Sequence, residues 1–346
     1  MAWFPSFQCV TGADGGRSWR VGHDQVDEFL EFAHGRVRPN TVRAYAHDLT
    51  VFFSIVAEEP VEVTPRDVLE FVAAQQRPRQ GAENVVRISD GGGGLSASTI
   101  KRRLAAASSF YGYLVVGGDV AVNPVPRGLP TRKSRHRGGR GVVPLVRGVR
   151  RLPRILEPSK VQALMDALRT ERDRAIVQAM LLGGLRRCEV LGLRLEDLRL
   201  GEWRVFVADG KGGHQRLVPL SQTFFATVAR YLELERPANA ETDRVFVALK
   251  GRTQGGALSA EGLDEMLANA RGRAGLVHGT CHELRHTCFT RLREGGMPIE
   301  ALQIQAGHRS IASTRIYLHL GADWLAGEYR RAAEAIEAQV AIGAAR

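Results

Sequence analysis

The sequence predicts a mostly α-helical protein of two domains, the second of which contains a small antiparallel sheet. Apolar residues recur at three- and four-residue steps over most of the chain, which is the period of a helix face. One short segment alternates instead, as a β-hairpin does. A basic segment rich in proline and glycine divides the chain and cannot form one continuous helix. These observations give an N-terminal extension (1–21), a helical domain (22–124), a basic linker (125–156), a second domain (157–321) and a final amphipathic helix (322–346).

The first domain is predicted to be a small helical bundle. Apolar residues form a helical stripe in "RPNTVRAYAHDLTVFFSIV", where Asn40 or Thr41 is expected to cap the helix. The segment "TPRDVLEFVAAQ" begins with Thr64 as a cap and Pro65 at the first helical position. A third stripe runs through "SASTIKRRLAAASSFYGYLV", with its basic residues expected beside the apolar face. Residues 76–97, which contain "SDGGGG", are predicted to form a loop.

The linker carries much of the positive charge. It holds ten Lys and Arg residues and no acidic ones, whereas the whole chain has a net charge of +11 and a pI of about 10.1. Along DNA, such a segment would neutralise phosphates and release counterions. We therefore expect nucleic acid as the partner. A generically basic soluble protein and a solvated linker without a ligand are the alternatives.

The sequence predicts neither a membrane span nor a secretory signal. No run of about 18 apolar residues is present, and "MAWFPSFQCV" lacks a basic region followed by an apolar one. The four cysteines lack the paired spacing of metal ligands, and no disulfide framework is expected. These features favour the cytoplasm.

The second domain is predicted to be α+β. Residues 159–198 predict two or three helices. In "EWRVFVADGKGGHQRLVPL", Trp203, Val205 and Val207 alternate and "GKGG" supplies a turn, which predicts a hairpin. Helices resume near Ser259 and continue towards the C-terminus.

A set of cationic and donor side chains is spread over this second domain. On a helix, residues 282, 285 and 286 share a face because they are three and four residues apart. An Arg fork matches two phosphate oxygens, so the set suits a phosphate. Scattered surface and capping residues are the alternative. The candidate residues are Arg186, Lys211, His282, Arg285, His286, His308 and Tyr317.

The string "HELRH", residues 282–286, also matches the helical signature of a zinc peptidase. In that class the two histidines bind zinc and the glutamate acts as the base. Here Arg285 would lie inside the motif and repel the metal, since a guanidinium stays protonated. Glu300 or His308 would have to be the third ligand, without a supporting pattern. A phosphate therefore suits these residues better than zinc.

Four segments taken in order resemble the tyrosine recombinase family, which includes phage integrases, Xer resolvases and Cre-like enzymes. They are "LRRCEVLGL", "GKGGHQRLVPL", "HELRHTCFTRLREGG" and "QAGHRSIASTRIYLHL", and the resemblance covers roughly residues 22–320. Gly and His follow the Arg of His-x-x-Arg by 22 and 23 residues, and Tyr317 follows that His by nine. The family often has Thr where Gly183 or Gly184 stands and Leu where Ala306 stands. Neither departure removes a reacting group.

The resemblance implies a SAM-like, core-binding helical domain and a catalytic domain that together form a C-shaped clamp on DNA. It implies a site-specific recombinase that cleaves and rejoins strands through a 3′-phosphotyrosine, for integration, excision, transposition or dimer resolution. Tyr317 would be the nucleophile, Arg186 and Arg285 would hold the phosphate, and Lys211 would protonate the leaving oxygen. His282 would exchange protons or hold the phosphate, and His308 would donate to it. No cofactor is implied, neither metal nor ATP.

The same resemblance implies partners and contacts. The substrate would be double-stranded DNA recombination sites, bound by a homotetramer, with a second recombinase as a possible partner. The C-terminal helix would dock on the neighbouring subunit, with packing on its own domain as the alternative. No arm-binding domain is expected before the bundle, and the enzyme would act in the cytoplasm at the nucleoid. The candidate DNA-binding residues are Arg43, Lys101, Arg102, Arg103, Arg132, Lys133 and Arg135.

Two further points stay open at the level of sequence. A type IB topoisomerase shares the chemistry but relaxes supercoils, and the zinc peptidase is a weaker alternative. A non-catalytic DNA-binding regulator derived from the fold is a third alternative, against which the intact donor set and Tyr317 argue. Glu189, three residues after Arg186, could orient that arginine or simply lie on a solvated helix face.

Overall fold

A computed structural model gives the fold, which divides into two compact units, Met1–Arg150 and Arg151–Arg346. The division falls within the segment predicted to be the linker. The fold is mostly helical with small antiparallel sheets, so the predicted fold class is confirmed. The structure describes residues 3–11, 16–77, 94–130, 142–148, 153–208, 215–308 and 313–314.

In the described residues, the first unit contains a bundle of four helices preceded by a β-hairpin. The hairpin consists of β1 (Gln8–Thr11) and β2 (Arg17–Arg20), and a short pair, β3 (Leu129–Pro130) and β4 (Val142–Val143), follows the helices. The helices are α1 (Asp24–His34), α2 (Pro39–Val56), α3 (Pro65–Gln76) and α4 (Ala97–Gly117). Their core is strongly aromatic, with Phe52, Phe53, Phe71, Phe110 and Tyr111 all buried.

The helix starts in this unit follow from local chemistry. At α3, Thr64 and Asp67 form a reciprocal capping box and Pro65 occupies the first helical position, as predicted for the threonine and proline. The predicted cap of α2 at Asn40 or Thr41 is wrong. Arg38 is the N-cap there, and the helix starts at Pro39, at least two residues earlier than predicted, because the fixed φ of Pro39 suits the first turn.

The second unit is α+β. Its helices are α5 (Pro158–Asp166), α6 (Glu171–Leu182), α7 (Arg187–Gly192), α8 (Gln222–Leu234), α9 (Ala260–Arg273), α10 (Cys281–Glu294) and α11 (Ile299–Ala306). The sheet has the order β5 (Leu198–Arg199), β6 (Arg204–Val207), β7 (Arg216–Pro219). Helix α6 is central and packs against α8 and α10.

The predicted hairpin is present in this sheet. Strands β6 and β7 are antiparallel, with Val205 opposite Val218 and Val207 opposite Arg216. Val205 and Val207 are buried as their alternation predicts. Trp203 precedes the strand, with a left-handed φ of 52°, and its ring packs edge-on against Phe225. The segment between the strands, which contains Lys211 and is predicted to form a turn, lies outside the described residues.

Within the part of the chain that the structure describes, every helix is too short or too polar to cross a bilayer. The final segment 322–346, Tyr317 and the predicted DNA contacts Arg132, Lys133 and Arg135 also lie outside the described residues.

Candidate active site

A Gly-Gly turn after α6 brings the first predicted arginine to the site. Gly184 has a φ of +65°, and a Cβ there would lie 2.5 Å from the Phe289 ring. A Cβ on Gly183 would lie 2.7 Å from Leu220. Only glycine fits this left-handed, tightly packed turn, so the backbone approaches α10 closely. Arg186 then occupies the N-cap of α7.

A buried carboxylate forms the centre of the site. The side chain of Glu189 has no exposed surface, and it accepts hydrogen bonds from Arg186 Nη1 at 2.7 Å and the Arg186 amide at 2.9 Å. Arg216 donates to both carboxylate oxygens, at 3.0 and 2.9 Å. Arg285 Nη1 lies 3.9 Å away. A solvated helix face for Glu189 is therefore wrong, because three guanidinium groups surround it.

These cations also set the charge of Glu189. Burial alone would raise its pKa, but the hydrogen bonds and charge of Arg216, followed by those of Arg186, lower the pKa to about 2. The carboxylate therefore stays ionised at neutral pH. One negative charge faces three positive ones, so the cluster keeps an excess of positive charge.

Arg216 is the residue of this cluster that the sequence analysis missed. Its side chain is only 9% exposed, and its Nε also donates to the Gln305 carbonyl at 3.2 Å. Its position on β7, two residues before the buried Val218, indicates that Arg216 faces inwards, because residues at that spacing lie on the same side of a sheet. An arginine on the inward face of a strand needs buried partners.

Helix α10 starts with a capping box, which explains the glutamate of "HELRH". Thr280 Oγ1 accepts from the Glu283 amide at 3.3 Å. Glu283 Oε2 accepts from the amides of Gly279 at 2.8 Å and Thr280 at 2.9 Å. Glu283 therefore satisfies the open end of the helix rather than serving as the base of a peptidase. Across the described ranges, no group of three His, Cys, Asp or Glu side chains could hold a metal ion.

Arg285 joins three elements from inside the protein. It is 4% exposed, and it donates to the carbonyl oxygen of Gly184 and, at 2.7 Å, to that of Ala306. Its guanidinium also lies 4.7 Å from the centroid of the Phe289 ring. The Gly-Gly turn, α10 and the end of α11 thus meet at this side chain.

His282 and His286 face each other at the more exposed side of α10. Their Nε2 atoms are 2.9 Å apart. Burial, followed by the charges of Arg285 and Arg186, lowers the pKa of His282. Burial, followed by His282 and Arg285, lowers the pKa of His286 to about 4. Both imidazoles are therefore neutral at pH 7, and one ring donates to the other.

His308 comes to the site after a left-handed turn at Gly307, which ends α11. Its Nδ1 lies 3.0 Å from Oγ1 of the buried Thr314. Burial, followed by the charges of Arg285, Arg186 and Arg216, lowers its pKa to about 4. His308 lies near the same cluster, because its ring centroid is 6.3 Å from that of Phe289 and Arg285 binds the carbonyl of Ala306, two residues before it. Four of the six predicted catalytic residues are thus brought together: Arg186, His282, Arg285 and His308.

The predicted DNA-binding residues of the first unit differ in exposure. Arg43 is exposed, with its guanidinium 5.4 Å from the centroid of Trp19. Lys101 is exposed, and Arg102 is half exposed and pairs with Asp48 at 2.6 Å.

Arg103 does not lie beside the apolar stripe as predicted. Its side chain is 9% exposed, lies 3.9 Å from Asp48 and donates to Gln75 Oε1 at 2.5 Å. Position 103 shares the buried face of α4 with Ile100, Leu104 and Ala107, because these residues are three and four apart. Arg103 therefore belongs to the interior of the bundle.

The chain matches two family models. Residues 154–323 match the phage integrase family, and residues 26–118 match the SAM-like N-terminal domain of phage integrases. The tyrosine recombinase XerC of Pelobacter propionicus is 30% identical over 300 residues, which cover 85% of this chain and 89% of the relative. The chain belongs to the phage integrase family of tyrosine recombinases. It is an enzyme that cleaves and rejoins DNA by site-specific recombination, and the comparisons support neither a type IB topoisomerase nor a zinc peptidase.

Other tyrosine recombinases extend the similarity. XerD of Lacticaseibacillus casei is 28% identical over 314 residues, 88% of this chain and 95% of that protein. The solved structure of the Tn1549 transposon integrase in complex with transposon right end DNA has a TM-score of 0.66 and 18% identity, covering 90% of this chain and 100% of that one. A lambda integrase dimer bound to a core site gives a TM-score of 0.61 and 16% identity, covering 87% and 96%. The structural matches share the fold of this tyrosine recombinase.

Proposed function

We propose that this tyrosine recombinase cleaves a DNA strand by attack of the Tyr317 hydroxyl oxygen on a backbone phosphorus. The bond from phosphorus to the 5′-oxygen breaks, which leaves a 3′-phosphotyrosine and a 5′-hydroxyl. The phenol proton passes to His282, and Lys211 protonates the leaving oxygen. The 5′-hydroxyl of another strand then reverses the step. The covalent intermediate keeps the bond energy, so the reaction needs neither a metal ion nor ATP.

The observation that carries this proposal is the arginine cluster around Glu189. Three guanidinium groups outnumber the one carboxylate within a largely buried site. Arg186 remains 20% exposed, so its fork is accessible to a phosphate. Charge grows on the non-bridging oxygens during attack, and fixed cations stabilise it most where water is scarce. Arg186 is therefore assigned to bind the phosphate, and Arg285, which is 4% exposed, is assigned to stabilise the phosphate by its nearby charge.

The histidines suit proton transfer and hydrogen bonding. The lowered pKa values of His282 and His308 keep both rings neutral at pH 7, and a neutral imidazole can both accept and donate a proton. Thr314 lies at Nδ1 of His308, which leaves Nε2 to donate to a phosphate oxygen. A tyrosine with an ordinary pKa of about 10 needs such neighbours to become a nucleophile.

A trapping experiment tests this assignment. Duplexes bound by the full-length protein are selected from fragments of the DNA that flanks its gene and are then rebuilt with a nick, so that the cleaved strand end diffuses away. The wild type should give a slower band on a denaturing gel, and Tyr317→Phe should give none while binding DNA equally well. Tyr113→Phe, in the first unit, is the matched control. A persistent band in Tyr317→Phe would place the nucleophile elsewhere.

The DNA contacts of the first unit and linker are also part of the proposal. We assign Arg43, Lys101 and Arg102, and in the linker Arg132, Lys133 and Arg135, to the phosphate backbone, which positions the enzyme without specifying sequence. Replacing one such residue by Gln should reduce the salt dependence of binding by about one phosphate contact. Arg66, a highly exposed cation on α3 that pairs with Glu70, is the control. A slope unchanged in all six variants would refute the assignment.

Assembly completes the proposal. We propose a tetramer on two recombination sites, in which residues 322–346 dock on the neighbouring subunit, and action at the nucleoid. Integration, excision, transposition and dimer resolution share the chemistry, and the selected target duplexes distinguish them. Deleting residues 322–346 should abolish the tetramer on DNA, as measured by light scattering. An unchanged mass of the complex would reject docking between subunits.

A further inference from the structure

We infer that Arg216 is a positioning residue for strand cleavage, which holds the Glu189 carboxylate and the turn before His308 in place. The inference rests on the proposed function of the same site. Arg216 does not need to touch DNA in this role, since it acts through the groups that bind the phosphate.

Arg216 holds the Glu189 carboxylate with two hydrogen bonds. Arg216 donates through Nη1 and Nη2 to separate carboxylate oxygens, at 3.0 and 2.9 Å. Arg186 donates to the same carboxylate at 2.7 Å. The side chain of Arg216 is 9% exposed and that of Glu189 is 0% exposed, so both charges are removed from water. A planar fork fixes the carboxylate in a way that a single ammonium group cannot.

Arg216 also contacts the turn that precedes His308. Its Nε donates to the Gln305 carbonyl at 3.2 Å. A Cβ on Gly307 would lie only 3.1 to 3.2 Å from the Arg216 guanidinium, so the backbone passes directly over this group. The side-chain Nε2 of Gln305 in turn donates to the Gly183 carbonyl at 3.1 Å. Arg216 on β7 therefore contacts the end of α11, and Gln305 connects that end with the Gly-Gly turn.

Arg216 also balances the charge of the Glu189 carboxylate. If Arg216 were absent, the buried carboxylate would have Arg186 and Arg285 as its remaining cations in this cluster. It would then compete with the DNA phosphate for the two groups assigned to that phosphate. With Arg216 in place, the strongest lowering of the Glu189 pKa comes from Arg216 and not from Arg186. Arg216 thus neutralises Glu189 while Arg186 stays accessible.

The position in the hairpin adds a further link. Arg216 begins β7 and follows Lys211 by five residues. The strand that leads away from the proposed general acid is therefore anchored at its first residue to the centre of the site.

Single-turnover cleavage of the nicked duplex, at saturating protein, tests the inference with Arg216→Met and Arg216→Lys. Arg216→Met should slow formation of the covalent adduct at least tenfold while DNA affinity stays near that of the wild type, because the loss concerns the transition state. Arg216→Lys should restore part of the rate, since it keeps the charge but not the fork. Arg204→Met is the matched control, because Arg204 lies on the adjacent β6 with half its side chain exposed.

A double-mutant cycle with Glu189→Gln separates positioning from a general loss of structure. If Arg216 acts through Glu189, the double variant should be no slower than the slower single variant. Additive losses, a wild-type rate in Arg216→Met, or a loss explained wholly by weaker DNA binding would overturn the inference. If Arg216→Met does not fold, a wild-type rate in Arg216→Lys overturns it instead. A wild type that forms no adduct overturns the proposed function and the inference together, whereas a trapped wild type with unaffected Arg216 variants overturns the inference alone.

Discussion

Replacing Glu189 with Gln removes the one negative charge at the centre of three guanidinium groups while keeping the shape of the side chain. The glutamine amide must then place an N–H group against arginine donors, which leaves buried donors without acceptors. We expect the second unit to lose stability. Arg186 and Arg285 should also bind anions more strongly, because the internal carboxylate no longer competes for them.

The magnitude follows from the titration of Glu189. Its pKa falls from an ordinary 4.5 to about 2, and each tenfold change in a proton equilibrium corresponds to about 1.36 kcal/mol. The ionised carboxylate therefore contributes about 3 kcal/mol, which agrees with the cost of about 3–5 kcal/mol for breaking a buried ion pair. Because the folded pKa is the lower one, this contribution is complete well above pH 4.5 and disappears as the pH falls through about 2.

Urea unfolding of the full chain measures the difference in free energy of unfolding between wild type and variant. Hydrogen exchange of peptides from α6 reports the unfolding of the second unit. Glu189→Gln should lower the free energy of unfolding at pH 7 by about 3 kcal/mol, and the difference from wild type should shrink by about half between pH 5 and pH 3. Glu196→Gln, at an exposed position, should change it by less than about 0.5 kcal/mol. A difference below about 1 kcal/mol at pH 7, or one independent of pH, would refute the reasoning.

Two further substitutions test the elements that bring residues to the site. Gly184→Ala forces a Cβ to 2.5 Å from the Phe289 ring at a φ of +65°, and it should lower the free energy of unfolding in urea by at least about 2 kcal/mol. The control Gly272→Ala, in open space on α9, should raise it by about 0.5–1 kcal/mol. Equal effects of the two substitutions would contradict the tight packing at Gly184. Thr314→Val removes the hydroxyl at 3.0 Å from His308 Nδ1. It should slow adduct formation on the nicked duplex without weakening DNA binding. An unchanged rate would show that His308 does not need this hydrogen-bond partner.

The sequence predicts the fold well where local chemistry decides it. Thr64 and Pro65 place the start of α3 correctly because a cap and a first-turn proline act over a few residues. The sequence does not predict the N-terminal hairpin, since β1 and β2 are four residues each and every one of these residues except Trp19 is exposed. Strands that bury so little give no strong alternation of apolar and polar residues.

In the candidate site, the sequence does not predict contacts between residues that are far apart in the chain. His282, Arg285 and His308 could be named because their spacing along the chain resembles a family pattern. Arg216 and the central role of Glu189 could not, because their pairing depends on β7 lying beside α7, 27 residues earlier in the chain. The burial of Arg103 was likewise hidden, since three consecutive basic residues on α4 gave no reason to expect Asp48 and Gln75 beneath one of them.

The capping box of α10 has a consequence for how enzymes are sorted by short motifs. A carboxylate at the third position of the helix completes its capping box, and the proposed phosphate site uses the neighbouring histidine and arginine. These two unrelated requirements together produce a sequence that matches the helical signature of zinc peptidases. A search for that sequence alone would classify this recombinase as a peptidase. The search must also ask whether the glutamate carboxylate accepts hydrogen bonds from the backbone amides just before its own helix.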